Sequence, residues 1–124
     1  MDYRDRTHLI YVIVAPPDQV AEGDRIFANH APWMKATHHR DGDKALLTYN
    51  VSKGPELSNP LDQNSAPTGN TVFVLDEIYQ TDAGVTDHFA QASSGWKDFP
   101  ALVQWLGKCK VSGIPASPII NSLW

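Results

Sequence analysis

The stretch Glu77-Ile78-Tyr79-Gln80-Thr81-Asp82-Ala83-Gly84-Val85-Thr86-Asp87-His88-Phe89 constrains this chain most, because it runs from an apolar strand through an N-cap into a short helix. Between Thr71 and Gln80, the residues Val72, Phe73, Val74, Leu75, Ile78 and Tyr79 are of the β-branched and aromatic kinds that favour a pleated, buried surface. Asp76 and Glu77 interrupt that run. Thr81 or Asp82 can accept a bond from a free N–H of the next turn, and Val85, Phe89 and Ala92 recur at helical spacing. His88 lies beside Phe89 at the edge of this apolar face.

The rest of the chain supplies elements of matching size. His8 to Val14 is a continuous run of strand formers, stopped by Ala15-Pro16-Pro17. Asp18 can cap a helix in which Val20, Gly23, Phe27, Ala31 and Met34 form one stripe, with Pro32 expected to kink or shorten the last turns. Ala45 to Val51 reads as a second strand. From Ser52 to Asn70, the residues Gly54, Pro55, Asn59, Pro60, Pro67 and Gly69 break any period, so a long loop is expected, a candidate lid or dimer arm. Asp98-Phe99-Pro100 opens a helix with Phe99, Leu102, Val103 and Leu106 on its apolar face and Gly107 near its end. Val111 to Ile120 carries Gly113, Pro115 and Pro118, which suit an edge strand or one that crosses to another chain.

The order strand, helix, strand, loop, strand, helices, strand is close to the split β-α-β pattern of a ferredoxin-like α+β domain with a four-stranded antiparallel sheet. Helices cover one face of such a sheet. Here the first strand is apolar on both faces, with Leu9, Tyr11 and Ile13 on one and Ile10, Val12 and Val14 on the other. A second copy of the chain would cover the exposed face, so a homodimer is expected.

Composition narrows the function. At 124 residues the chain suits one domain, and 42% hydrophobic with 19% charged residues is ordinary for a globular protein. A formal charge of −4 without a dense Lys/Arg run argues against nucleic acid as a partner. The single cysteine, Cys109, cannot form an internal disulfide, and no export signal opens the chain, which leads to the expectation of a cytoplasmic protein. No apolar run approaches the roughly 20 residues of a membrane span.

Glu77-x-Tyr79 closing a strand, the short acidic link, Ala83, His88-Phe89 and the following Phe99 helix resemble the dimeric α+β barrel superfamily. That group includes antibiotic-biosynthesis monooxygenases and small quinol-oxidising relatives. The likeness spans about residues 8 to 120 as topology and 72 to 106 as motif. It implies a pocket between sheet and helices, opening near a dimer interface, where an aromatic or quinone-like molecule is oxidised without metal, flavin or other cofactor. Lactone isomerases, haem-degrading enzymes and stress proteins share the fold, so fold alone does not select an activity.

Individual residues have to make that selection. His88 matches the family's helical histidine and is the candidate base for a phenolic or enolic proton, or else a helix-edge residue bonded to a carbonyl across the dimer. His30, Asn29 and Trp33 are of the types used by haem-degrading relatives, but adjacent Asn29 and His30 must point in different directions on a helix. His38 and His39, next to Arg40-Asp41-Gly42-Asp43, read as an exposed polar turn, and no His-x-x-x-His spacing supports a metal. Tyr79, Tyr49, Trp33, His30 and Phe73 are the candidate substrate-binding residues, drawn from a larger aromatic set with Tyr11, Trp96 and Trp105. Trp124 is apolar enough to dock on a partner chain. Glu77 lies either at a wet strand end or in a setting that pairs it or shifts its pKa. No Gly-rich phosphate loop, Gly-x-Ser-x-Gly elbow or paired-cysteine zinc spacing occurs. Two classes remain: a cofactor-free oxygenase, or a non-catalytic dimer that holds a small hydrophobic ligand.

Overall fold

The structure, a computed structural model, describes residues 1–124. The run of strand formers near the N-terminus becomes β1 (Thr7–Ala15), and proline directs the chain through a 3₁₀ turn (Pro17–Gln19) into α1 (Val20–Thr37). Strands β2 (Leu46–Leu57) and β3 (Pro67–Tyr79) form a hairpin, followed by α2 (Asp82–Gly95), α3 (Phe99–Leu106) and β4 (Lys110–Pro118). All pairings are antiparallel and the sheet order is β2-β3-β1-β4. This is the ferredoxin-like α+β arrangement. No helix is long and apolar enough to cross a membrane.

The period of two in β1 and β3 sorts their side chains. Leu9, Ile13 and Ala15 of β1, with Phe73, Leu75, Glu77 and Tyr79 of β3, are buried beneath the helices. The opposite row, Ile10, Val12, Val14, Val72, Val74 and Ile78, is only half-buried, because nothing in the chain covers that face. His8 and Asp76 form a 2.6 Å pair on the same face.

Two expectations are corrected. The segment from Ser52 to Asn70 is mostly strand, since β2 and β3 extend as a ribbon and leave only residues 58–66 as a turn. Pro55 is tolerated because β2 is an edge strand and the register shifts between Pro55 and Leu57, and Pro67 because it is the first residue of β3, before the stretch from Thr71 that pairs with β1. Ser52 to Leu57 line a groove on the open face with Val12, Val14, Val72 and Val74, so this ribbon is no lid over the helix-covered side. Helix α1 runs through Pro32 to Thr37, and its buried stripe is Gly23, Ile26, Phe27, His30 and Met34. Gly23, Phe27 and Met34 of the expected stripe are buried, while Ile26 and His30 take the inward places expected of Val20 and Ala31. Of the two caps that the sequence offers for α2, Thr81 is the one used, accepting from the Ala83 N–H at 3.2 Å.

Gly23 is the close approach that lets α1 sit on the sheet. A Cβ there would lie 2.5 Å from Trp105 Cζ2 and 2.9 Å from Phe73 Cζ.

Candidate active site at the polar end of the core

Along the inward row of β3 the core changes character. Phe73 and Leu75 belong to an apolar cluster, whereas Glu77 is wholly buried and Tyr79 donates its hydroxyl hydrogen to Glu77 Oε1 at 2.5 Å. Glu77 is therefore not at a wet strand end. Its side chain has the same parity as Phe73, Leu75 and Tyr79, and that parity was the sequence signal that it points inward.

Histidines from two helices meet this carboxylate, and a third, from the turn after α1, meets one of them. His30 of α1 and His88 of α2 are buried, and His88 Nδ1 lies 3.9 Å from Glu77 Oε1. His30 Nδ1 is 2.8 Å from the Tyr49 hydroxyl. His38, expected in an exposed turn, instead places Nε2 2.8 Å from His88 Nδ1. Sequence alone could not pair His38 with a residue fifty positions away. His39, half exposed, stays outside near Asp87.

The bonds around Thr37 fix the direction of this chain of donors. Thr37 has one hydroxyl hydrogen, and the Trp33 carbonyl oxygen, 2.7 Å away, can only accept it. Toward His38 Nδ1, at 3.0 Å, Thr37 Oγ1 must therefore accept, which puts the neutral His38 proton on Nδ1 and leaves Nε2 as an acceptor. His88 Nδ1–H donates to that acceptor, so the His88 lone pair resides on Nε2, which makes no hydrogen bond to the protein. These proton positions are assigned from the network.

Burial keeps the imidazoles of the cluster uncharged. It lowers His88 to about 3, with His38 and His30 adding to the effect, and lowers His30 to about 4, with His38 contributing. His38 is lowered too, chiefly by burial. Burial raises Glu77 to about 7 against the opposing bond from Tyr79, and raises the Tyr49 and Tyr79 phenols well above their ordinary range. Neutral imidazoles beside a carboxyl that titrates near pH 7 are suited to moving a proton. Glu77 Oε2 has no hydrogen-bond partner although it is buried.

A cavity of about 270 Å³ opens between the sheet and α2 and α3. His30 and His88 are the only non-hydrophobic residues among its fourteen lining residues, the rest including Tyr11, Ile13, Leu75, Trp96 and Leu106. A dry cavity of about 150 Å³ can hold benzene, so this one has room for an aromatic ring. Phe89, Val103 and Val111, at 40%, 52% and 40% exposure, are its most exposed walls.

The predicted site residues divide accordingly. His88 and His30 reach the cavity wall; Tyr79 and Tyr49 stand behind it, bonded to Glu77 and His30. Trp33 stacks on Trp96 with centroids 5.4 Å apart and does not line the cavity. Phe73 sits at the other end of the core, stacked on Phe27 at 5.7 Å and edge-on to Trp105 at 5.4 Å. Asn29 points away from the cluster to Asp98, at 3.0 Å. His38, Glu77, Trp96 and Tyr11 are what the candidate set lacked.

Fold and site together define a ferredoxin-like α+β domain with a buried His/Glu cluster at the inner wall of an apolar cavity. Among solved structures, the chain is similar to a dimeric ferredoxin-like protein from an uncultured marine organism, at 12% identity and TM-score 0.57, over 95% of this chain and 99% of that one. It is also similar to a protein of Caulobacter crescentus CB15 named "putative antibiotic biosynthesis monooxygenase", at 16% identity and TM-score 0.50, over 94% and 93%. At these identities the likeness concerns the fold. No family model matches the sequence. No curated protein matches it either.

Proposed function

We propose that this chain is a small-molecule enzyme of the monooxygenase type, acting on an aromatic or quinol-like compound in the cavity, with His88 as the base. The observation that carries the reading is the imidazole of His88 on a wall that is apolar apart from His88 and His30, its Nε2 left free by the Thr37–His38–His88 sequence of bonds. A phenolic or enolic proton passes to that nitrogen, and the electron-rich anion left on the substrate is the partner for dioxygen. His88 alone is a weak acceptor once buried. Ionised Glu77, 3.9 Å away, stabilises the imidazolium and so assists the transfer. The monooxygenase name of one structural neighbour agrees with this chemistry.

Oxygen uptake in the presence of a naphthohydroquinone, above its uncatalysed oxidation, tests the reading. His88→Ala should lower the enzymatic rate by at least about 100-fold, the usual scale for a lost general base. The apolar lining also suits a protein that holds a hydrophobic ligand without turning it over. Saturable quenching of tryptophan fluorescence with no oxygen uptake would select that function.

We further propose that two copies associate through their open sheet faces, which carry Ile10, Val12, Val14, Val72, Val74 and Ile78. The dimeric description of one neighbour supports this. Light scattering should give twice the 13.7 kDa of the chain, and Val74→Lys should return the single-chain mass.

A further inference from the structure

We propose that His30, Glu77 and His88 form a binding site for one divalent first-row transition-metal ion of the zinc and iron(II) class. The three residues come from α1, β3 and α2, all are buried, and each offers a donor atom within 4.8 Å of the others. Three separate elements of the fold therefore bring two imidazoles and one carboxylate to one point, which is the two-histidine, one-carboxylate set that borderline divalent ions prefer. A donor set with two nitrogens does not suit calcium or magnesium, which take oxygen.

The surroundings are those of a ligand set held from behind. His30 Nδ1 is engaged by the Tyr49 hydroxyl and His88 Nδ1 by His38 Nε2, each at 2.8 Å, so one nitrogen of each ring is fixed by the protein and the other has no protein partner. Metal-bound histidines characteristically use their second nitrogen in this way. Glu77 repeats the arrangement: Tyr79 holds Oε1, while Oε2 is buried with no partner at all. An idle carboxylate oxygen in a dry site costs free energy that an ion would offset. At metal–ligand lengths of about 2.1 Å, donors lie roughly 3–3.5 Å apart, so the three side chains, whose donors lie within 4.8 Å of one another, would draw together around an ion.

The ion's remaining positions would be available to water or to a molecule in the cavity that His30 and His88 line. This inference rests on the reading above only for what enters that cavity. Coordination through the free nitrogen of His88 would occupy the lone pair assigned to the base, so ion-loaded and ion-free protein would differ in mechanism.

Titration of the chelator-treated full chain with cobalt(II), followed by visible absorption without substrate, tests the site. The expected result is one equivalent bound with intense ligand-field bands, weakened at least tenfold in Glu77→Gln and in His88→Ala. His39→Ala, which alters only a half-exposed residue outside the cluster, should bind as the unaltered chain does. If Glu77→Gln fails to fold, Tyr49→Phe gives the same information, because it removes only the hydroxyl behind His30 and should weaken binding about tenfold. Absence of the bands, or binding that these variants leave unchanged, overturns the proposal. Oxygen uptake measured in excess chelator reports on the base mechanism separately, so either idea can fail alone.

Discussion

The two ends of the inward row of β3 share a strand, a helical cover and full burial, yet they are built on opposite principles. At the Phe73 end, Phe27, Phe73 and Trp105 meet edge-on or stacked at 5.4 to 5.8 Å, and the indole N–H of Trp105 donates to the Gln19 carbonyl oxygen at 2.8 Å. Shape complementarity there is close enough that Gly23 has no room for a Cβ. At the Glu77 end, a carboxyl, two phenols and three imidazoles occupy the same layer, beside a cavity and with one carboxylate oxygen that has no protein partner. A Leu at position 77 would continue the alternation without desolvating a carboxyl. The polar end is therefore unexplained by stability, whereas the dry end is explained by it.

The contrast can be broken most forcefully at the dry end. Trp105→Ala should cost about 3–5 kcal/mol, read by urea unfolding, while leaving any cobalt spectrum of the folded fraction unchanged. Gly84→Ala acts on the boundary, since its Cβ would lie 2.6 Å from Tyr79 Cδ1 and 3.0 Å from the Lys44 carbonyl oxygen. It should cost about 1–3 kcal/mol and, by moving Tyr79 from Glu77, change cobalt affinity as well. The smallest effect belongs to Thr81→Ala, which removes only the cap of α2 and should lower stability by about 1 kcal/mol with the site's spectrum intact.

How far the sequence revealed this contrast depended on the range of each signal. The strand-to-helix segment around Thr81 was legible because propensity, capping and period act within a few residues. The β2–β3 ribbon was not, because proline is accepted in a strand only at an edge, as Pro55 is, or at the first residue, as Pro67 is, and both are positions that only the assembled sheet defines. His30 is legible as a candidate, and Gly23, Phe27 and Met34 mark the inward face of α1, but Ile26 and His30 share that face where an apolar stripe favours Val20 and Ala31. His88 could be picked out as a base from its helix edge, whereas its orientation depends on His38 and Thr37, whose bonds only the folded chain brings together. Phe73 was chosen for its aromatic ring, and packing against Phe27 and Trp105 uses that ring in the dry end.

The most direct measurement is the unfolding free energy of the double variant Glu77→Met/Tyr79→Phe, which removes the buried carboxyl and its bonded hydroxyl together while approximately keeping their volume. If the polar end exists for chemistry, the variant should be as stable as the unaltered chain or more stable by about 1–4 kcal/mol, the range seen when buried charged groups are replaced by apolar ones. It should also neither bind cobalt nor consume oxygen. A loss of more than about 3 kcal/mol would show that Glu77 and Tyr79 hold the fold together, and would contradict the account.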